Sequence, residues 1–363
     1  MRIAFIAESI YEGAGIERVL AARVNDLCKD FNVTFLTLDD GSRPDCFPLD
    51  EKVKRVYLSV HDKKSCYKVL SSYLKENPQD ITVSTGGLEF YVLYHIRDGS
   101  KKIFEFHFPF SISKIWMAQR FHGILRWMAY HFQTWKRIWI ARHYDKIIVL
   151  CKADEQRWKQ FTDKVVCIYN PLTISTEEYS SCENKKVIAA GRLSPEKGFD
   201  DLIDSWSIVN KKHPNWILNI FGEGTEHKAL LRQIDKLGLR DCVTLCGSTD
   251  DIVSEYIDSS LFVLSSREEA FGLVIIEAEA CGLPIVAFDC PSGPAELVED
   301  KHNGFLVKAK DVVQLAEKIC YLIENKSLRK TFGARSVEIS QRFELKKVMA
   351  KWRSLYTNLN NRI

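Results

Sequence analysis

The sequence has no CxxC pair, no long run of uncharged apolar residues and almost no net charge, and each absence excludes a class of protein. Its eleven cysteines are an odd number for a secreted disulfide framework, and their spacing does not read as a zinc site. Cys242 and Cys246, four apart on a strand and its exit, fit buried packing better than metal ligation. Reduced thiols are the simpler account. No stretch is long enough to span a bilayer, and Met1-Arg2 leads straight into the strand-like Ile3 to Ala7 without a signal-peptide pattern. A cytoplasmic protein is therefore expected. There is no repeat of solenoid length and no low-complexity tract. The net charge of +3 says little by itself, and nucleic acid is not expected among the partners.

What is present suits two packed cores. The chain has 363 residues, 46% hydrophobic and 27% charged, which is long for one domain and too apolar for disorder. Short β-branched runs alternate with amphipathic segments of helix length, the pattern of parallel βαβ units. The first half offers strands at Ile3 to Ala7, Val33 to Leu38, Ile81 to Ser84, Lys101 to Phe106, Lys146 to Leu150 and Val165 to Ile168. The second offers Val187 to Ala190, Ile217 to Phe221, Val243 to Cys246, Leu261 to Leu264, Ile285 to Phe288 and Phe305 to Val307. Between them the polar stretch from Thr173 to Asn184 reads as a linker. The expected architecture is α/β, two doubly wound parallel-sheet domains of Rossmann type facing a cleft, 1–170 and 171–340, followed by a terminal helix in 341–363 that packs back on the first domain.

In open parallel sheets, ligands bind beyond the carboxyl ends of the strands. Three such loops in the second half are unusual. After Ala190 comes Gly191-Arg192-Leu193-Ser194-Pro195-Glu196-Lys197-Gly198, then a helix. Two cations at a helix amino terminus suit a diphosphate, although either alone reads as a solvated surface residue. Gly222-Glu223-Gly224 follows the next strand and fits a tight turn or a close backbone approach to a ligand. The third loop runs from Ser265 to Gly272 into a helix, with Glu269 in the loop and Glu277 interrupting an apolar helical run. Two carboxylates so placed accept hydrogen bonds from sugar and ribose hydroxyls, while amides at Phe271, Gly272, Leu273 and Val274 face the phosphates. A carboxylate in an apolar helix needs a partner or a ligand.

Together these segments resemble the retaining glycosyltransferases of family four, glycosyl transferases group 1, with the two-domain GT-B fold. The likeness covers nearly the whole chain. It is carried by Glu269-Ala270-Phe271-Gly272 through Glu277, by Gly282-Leu283-Pro284, by Gly293-Pro294-Ala295-Glu296, by Asn303-Gly304-Phe305, and by the Gly191 to Gly198 loop. The resemblance implies an acceptor-binding first domain and a second that binds the nucleotide sugar. Arg192 and Lys197 would hold the diphosphate and stabilise it as it leaves; Glu269 would contact the transferred sugar and Glu277 the ribose. Gly222 and the loop after Cys246 would lie beside the base. Gly13-Ala14-Gly15-Ile16-Glu17-Arg18 resembles the family's GGxER loop, with Gly15 as a donor contact and Ala14 in place of a glycine; Ala270 likewise replaces the glycine of the usual EGFG. His107 occupies the place of a cleft-facing histidine and would support the acceptor or the transition state, against the plain reading of a hydrogen-bonded structural histidine.

The implied reaction retains anomeric configuration without a cofactor or metal, and no DxD motif stands at a suitable strand end; Asp200-Asp201 and Asp250-Asp251 read as helix-start acids. A segment Cys290 to Glu296 resembles enzymes that build bacterial surface polysaccharides such as lipopolysaccharide and capsule, which favours a UDP-linked hexose or N-acetylhexosamine and a glycan acceptor. Between Ile112 and His143 stand Trp116, Trp127, Trp135 and Trp139, mixed with Lys114, Arg120, Arg126, Lys136, Arg137 and Arg142. That mixture fits an anionic membrane interface, which would make the acceptor a polyprenyl-diphosphate-linked glycan at the inner face of a membrane; it equally fits core-facing aromatics with solvated cations. Rival readings are a sugar-nucleotide epimerase or hydrolase of the same fold, a silent sugar-nucleotide-binding subunit, and an NAD-dependent oxidoreductase. The last rests on Gly13, Gly15 and Asp39, but Arg18 stands where a third small residue is wanted.

Overall fold

The computed structural model describes residues 1–11, 15–118 and 120–361. It divides into two units, Met1–Thr173 with Leu345–Ile363, and Ile174–Glu344. The divisions fall after Thr173 and Glu344 rather than after residues 170 and 340.

Among the described residues the first unit holds a seven-stranded sheet of β1 (Arg2–Ala7), β2 (Asn32–Thr37), β3 (Lys54–Tyr57), β4 (Ile81–Ser84), β5 (Lys101–Phe106), β6 (Lys146–Val149) and β7 (Val165–Cys167). All pairings are parallel, in the order β3-β2-β1-β4-β5-β6-β7. Central strands such as β1 and β4 are buried on both faces, which is why they read as continuous apolar runs. The edge strand β3 escapes the sequence reading: Lys-Arg-Val-Tyr is short, charged and half-exposed, as edge strands are.

Each face of this sheet has its own core. One is covered by α1 (Gly15–Leu27) and by α13 (Leu345–Asn360), whose Val348, Met349, Trp352, Tyr356 and Leu359 are buried with Leu20, Val24 and Leu27 of α1. Burial of each large apolar side chain there contributes roughly 1.5–3 kcal/mol. The other face is covered by α2 (Lys63–Glu76), α3 (Ile112–Ala118), α4 (Gly123–Ala141) and α5 (Lys152–Lys159), which supply residues such as Leu70, Ile112, Ile138 and Trp158. On α4 the buried side is Thr134, Arg137, Ile138, Ile140 and Ala141. At helical spacing along this segment stand Met117, Phe121, Ile124, Met128, Phe132, Trp135 and Trp139; Met117 is buried and the other six are exposed, so the aromatics among them do not face the core. Among the described residues no helix is long and apolar enough to cross a membrane.

The second unit holds a six-stranded parallel sheet in the order β10-β9-β8-β11-β12-β13. Its strands are β8 (Lys186–Ala190), β9 (Ile217–Phe221), β10 (Val243–Gly247), β11 (Leu261–Leu264), β12 (Ile285–Asp289) and β13 (Gly304–Lys308). α6 (Phe199–Lys212), α7 (His227–Lys236) and α11 (Val312–Glu324) share one buried cluster with the sheet through Trp206, Leu230 and Ile319. The remaining helices are α8 (Ile252–Ile257), α9 (Leu273–Ala280), α10 (Pro294–Leu297) and α12 (Lys326–Ser340). α9 is apolar nearly all round and packs against α12, so it is a core helix rather than a surface one.

Candidate active site

The strand order of the second sheet reverses between β8 and β11, from which β9-β10 and β12-β13 spread to opposite sides. At such a switch point the two neighbouring strand-end loops part and leave a crevice. Here those loops are 191–198 and 265–272.

Backbone contact draws the pieces together. Gly198 is left-handed (φ 62°, ψ 31°), and a Cβ there would lie 2.3 Å from the Ser265 carbonyl oxygen, so only glycine lets the first loop meet the second. Gly222 does the same between the first loop and β9, where a Cβ would fall 2.0 Å from the Gly191 carbonyl. Its N–H donates to the Gly247 carbonyl at 2.7 Å, which brings the loop after Cys246 alongside. Arg267 clamps the two main loops: its N–H donates to the Glu196 carbonyl at 2.7 Å and its guanidinium reaches the Pro195 carbonyl, Asp200 and Asp201 at 2.6–3.0 Å. Asp200 and Asp201 are thus both first-turn acids of α6 and the partners of a cross-loop arginine.

On this frame Lys197 donates from Nζ to Glu269 Oε2 at 2.6 Å, and the Ser266 hydroxyl donates to the same oxygen at 3.3 Å. Arg192, on the same loop, is exposed and forms no ion pair among the described residues. Gly272, left-handed at φ 102°, starts α9, so Leu273 and Val274 bring amides of the first helical turn, which have no intrahelical acceptor. The Phe271 ring is buried edge-on against Phe343 at 5.5 Å, which leaves its backbone as the part facing the loop. Glu277 is buried on α9 with its carboxylate 3.4 Å from the Tyr256 hydroxyl. Cys290 is buried nearby; desolvation first, then the charges of Glu269 and Glu268, push its thiol pKa up and keep it unreactive.

The first unit carries the other sequence-selected residues. Gly15 begins α1; Gly13 and Ala14 lie outside the described residues. His107 follows β5, is buried, and sets Nε2 3.1 Å from Glu105 Oε2. Glu105 in turn receives a two-pronged bond from Arg23 of α1, both contacts 2.7 Å. Burial would raise the Glu105 pKa, but Arg23 and then His107 outweigh it and hold the carboxyl down at about 2. The sequence reading passed over Arg23, Glu105 and Arg267. For Glu105 a signal existed, a carboxylate inside an apolar strand two residues before the histidine; Arg23 and Arg267 look like ordinary surface cations until their partners are seen.

Among the described residues no group of three or more His, Cys, Asp or Glu side chains is gathered to hold a metal ion. A lysine and a carboxylate in contact, with an arginine on the lysine's loop that forms no ion pair among the described residues and helix-start amides after the carboxylate's loop, suit a ligand that carries both a diphosphate and hydroxyl groups.

The family model described as glycosyl transferases group 1 matches residues 175–338. A protein of Haemophilus influenzae named as an uncharacterised glycosyltransferase is 30% identical over 366 residues, spanning 98% of this chain and 99% of its own. The amylovoran biosynthesis glycosyltransferase AmsD of Erwinia amylovora is 25% identical, spanning 98% of this chain and 99% of its own. Among solved structures, Staphylococcus aureus TarM in complex with UDP, fondaparinux and α-GlcNAc-glycerol superposes with a TM-score of 0.82 at 17% identity, over 98% of this chain and 99% of that one. That likeness shows the GT-B fold.

Proposed function

The chain belongs to the glycosyl transferases group 1, and from that premise we propose that this glycosyltransferase moves a hexose or N-acetylhexosamine from a UDP-sugar to a glycan acceptor in the synthesis of a bacterial surface polysaccharide. The observation that carries the reading is the contact of Lys197 with Glu269 across the switch point. In the proposed reaction the bond from the anomeric carbon to the β-phosphate oxygen breaks, and the departing UDP takes that electron pair. Arg192 and Lys197 meet the developing charge, as preorganised cations do in other acyl and phosphoryl sites, so the reading asks for no metal. The acceptor hydroxyl forms the new bond on the same face and passes its proton to the departing phosphate oxygen, with retention. Glu269, released from Lys197, binds hydroxyls of the sugar; Glu277 binds the ribose; the amides of Phe271 to Val274 and the backbone at Gly222 complete the second unit's share of the donor site. Relatives support the chemistry: AmsD is named for amylovoran biosynthesis, and TarM was solved with UDP.

The exposed aromatic face of α4, with Lys136 and Arg142 among Trp135 and Trp139, supports a second element of the reading: peripheral binding to an anionic membrane and an acceptor carried on a polyprenyl diphosphate. The test of the core proposal is calorimetric titration with UDP, GDP and their sugars, followed by a donor-hydrolysis assay over the same panel. Saturable UDP-sugar binding with slow release of UDP is expected; no nucleotide affinity for any member overturns it.

A further inference from the structure

Glu105 and His107 are two residues apart at the end of an extended strand, so both side chains leave the same face of the first sheet, the face covered by α1 and α13. That core is apolar, and a carboxylate buried there needs compensation. Arg23 provides it by its two-pronged bond, and Arg23 is itself seated on the ring of Trp352 of α13, with its guanidinium carbon 3.8 Å from the ring centre. Trp352 thus fixes Arg23, Arg23 fixes Glu105, and Glu105 engages His107. At the far end of this line His107 Nδ1 is buried and has no hydrogen-bond partner among the described residues, although the side chain is only 1% exposed. A ring nitrogen buried without a partner is costly unless something outside the resting protein pairs with it.

We propose that Arg23 and Glu105 are positioning residues that hold His107 as the Nε2–H tautomer, so that Nδ1 presents a bare lone pair to a substrate hydroxyl. The polarity follows from the bonding. An ionised carboxylate only accepts, so the nitrogen facing Glu105 must carry the proton. Nδ1 has no acceptor within reach among the described residues, so a proton there would be a buried donor with nothing to donate to, and the geometry places the lone pair at Nδ1. Nδ1 then accepts from an O–H and steers that hydroxyl. This deepens, and rests on, the glycosyl-transfer reading.

The tautomer is measurable without any substrate. In the full chain labelled with 15N-histidine, long-range proton–nitrogen correlation spectra, assigned with His107→Gln, are expected to show His107 protonated at Nε2 and bare at Nδ1. A neutral ring protonated at Nδ1 overturns the proposal. Glu105→Gln supplies an amide donor toward Nε2 and should invert the tautomer. Its kcat should fall on the order of 10²-fold while KM for UDP-glucose or UDP-N-acetylglucosamine stays within about twofold. An inverted ring with wild-type turnover overturns the proposal as firmly as the wrong wild-type spectrum, and the wild-type spectrum decides alone if the variant folds poorly. Loss of donor hydrolysis without acceptor assigns the hydroxyl to the donor sugar; loss confined to transfer assigns it to the acceptor. Failure of the wild type to bind any nucleotide sugar strikes the transfer reading and leaves the tautomer result untouched, so the two failures are distinguishable.

Discussion

The ammonium of Lys197 and the carboxylate of Glu269 sit 2.6 Å apart, joining segments separated by 72 residues across the switch point of the second sheet. Their side chains are 23% and 12% exposed, so water still reaches the pair and its net worth is about 1 kcal/mol at most. A charge-assisted bond to phosphate in the same place is worth about 1.5–3 kcal/mol, and the lysine is expected to leave the glutamate when a diphosphate arrives. Lys197→Ala should therefore weaken UDP binding by roughly 10- to 100-fold by calorimetry. Glu269→Gln should hold UDP within a few-fold of wild type yet lower turnover of the UDP-sugar. Equal UDP affinity in Lys197→Ala and wild type would sink the assignment.

Arg267 contributes through the frame rather than through the ligand. Its replacement by alanine frees Asp200 and Asp201 to repel each other at the start of α6 and loosens the first loop from the second. A loss of about 1–2 kcal/mol in unfolding free energy is expected, with weaker UDP binding as the loop carrying Lys197 drifts. Wild-type stability together with wild-type UDP affinity would show that the clamp is idle.

Glu279, two residues beyond Glu277 on α9, makes a prediction about pH. Its Oε1 accepts from the Asn303 side chain at 2.8 Å, its Oε2 has no partner among the described residues, and burial pushes its pKa well above the ordinary carboxyl value. The folded chain holds this proton where the unfolded chain releases it, so stability falls as pH rises through the unfolded value. Glu279→Gln keeps the shape and the Asn303 bond without the ionisation cost. Its melting temperature should exceed wild type at pH 7, and the advantage should vanish below about pH 4. A difference that is independent of pH would contradict the assignment.

The aromatic face of α4 predicts an outcome in which fold and partner separate. Trp127 and Trp135 are 59% and 60% exposed, so Trp127→Ser with Trp135→Ser should change stability by no more than about 0.5 kcal/mol each. In flotation with vesicles containing anionic lipid, the wild type should rise with the lipid and the double variant should stay behind. A wild type that stays behind as well would remove the membrane element of the proposal without touching the donor site.

Much of this protein was legible from one sequence. Buried parallel strands are continuous apolar runs, so β1, β4, β8 and β11 stand out; β3 does not, because an edge strand half in water carries Lys and Arg. Lys197 and Glu269 were legible as strand-end residues in unusual loops. The nicotinamide reading of Gly13, Gly15 and Asp39 gives way to membership of a transferase family, which a few residues of similar spacing in the first unit could not have decided.

By itself the sequence determined the local rules: which runs become strands, where helices start after the strand-end loops, and which loops carry charge, since these depend on neighbours a few residues away. Tertiary structure alone decided the partners. Arg267 met Asp200 and Asp201, Arg23 met Glu105 and Trp352, and the tryptophans of α4 faced outward, because each depends on which elements a sheet brings side by side, and the hydrophobic period of a helix shows an apolar face without showing what covers it.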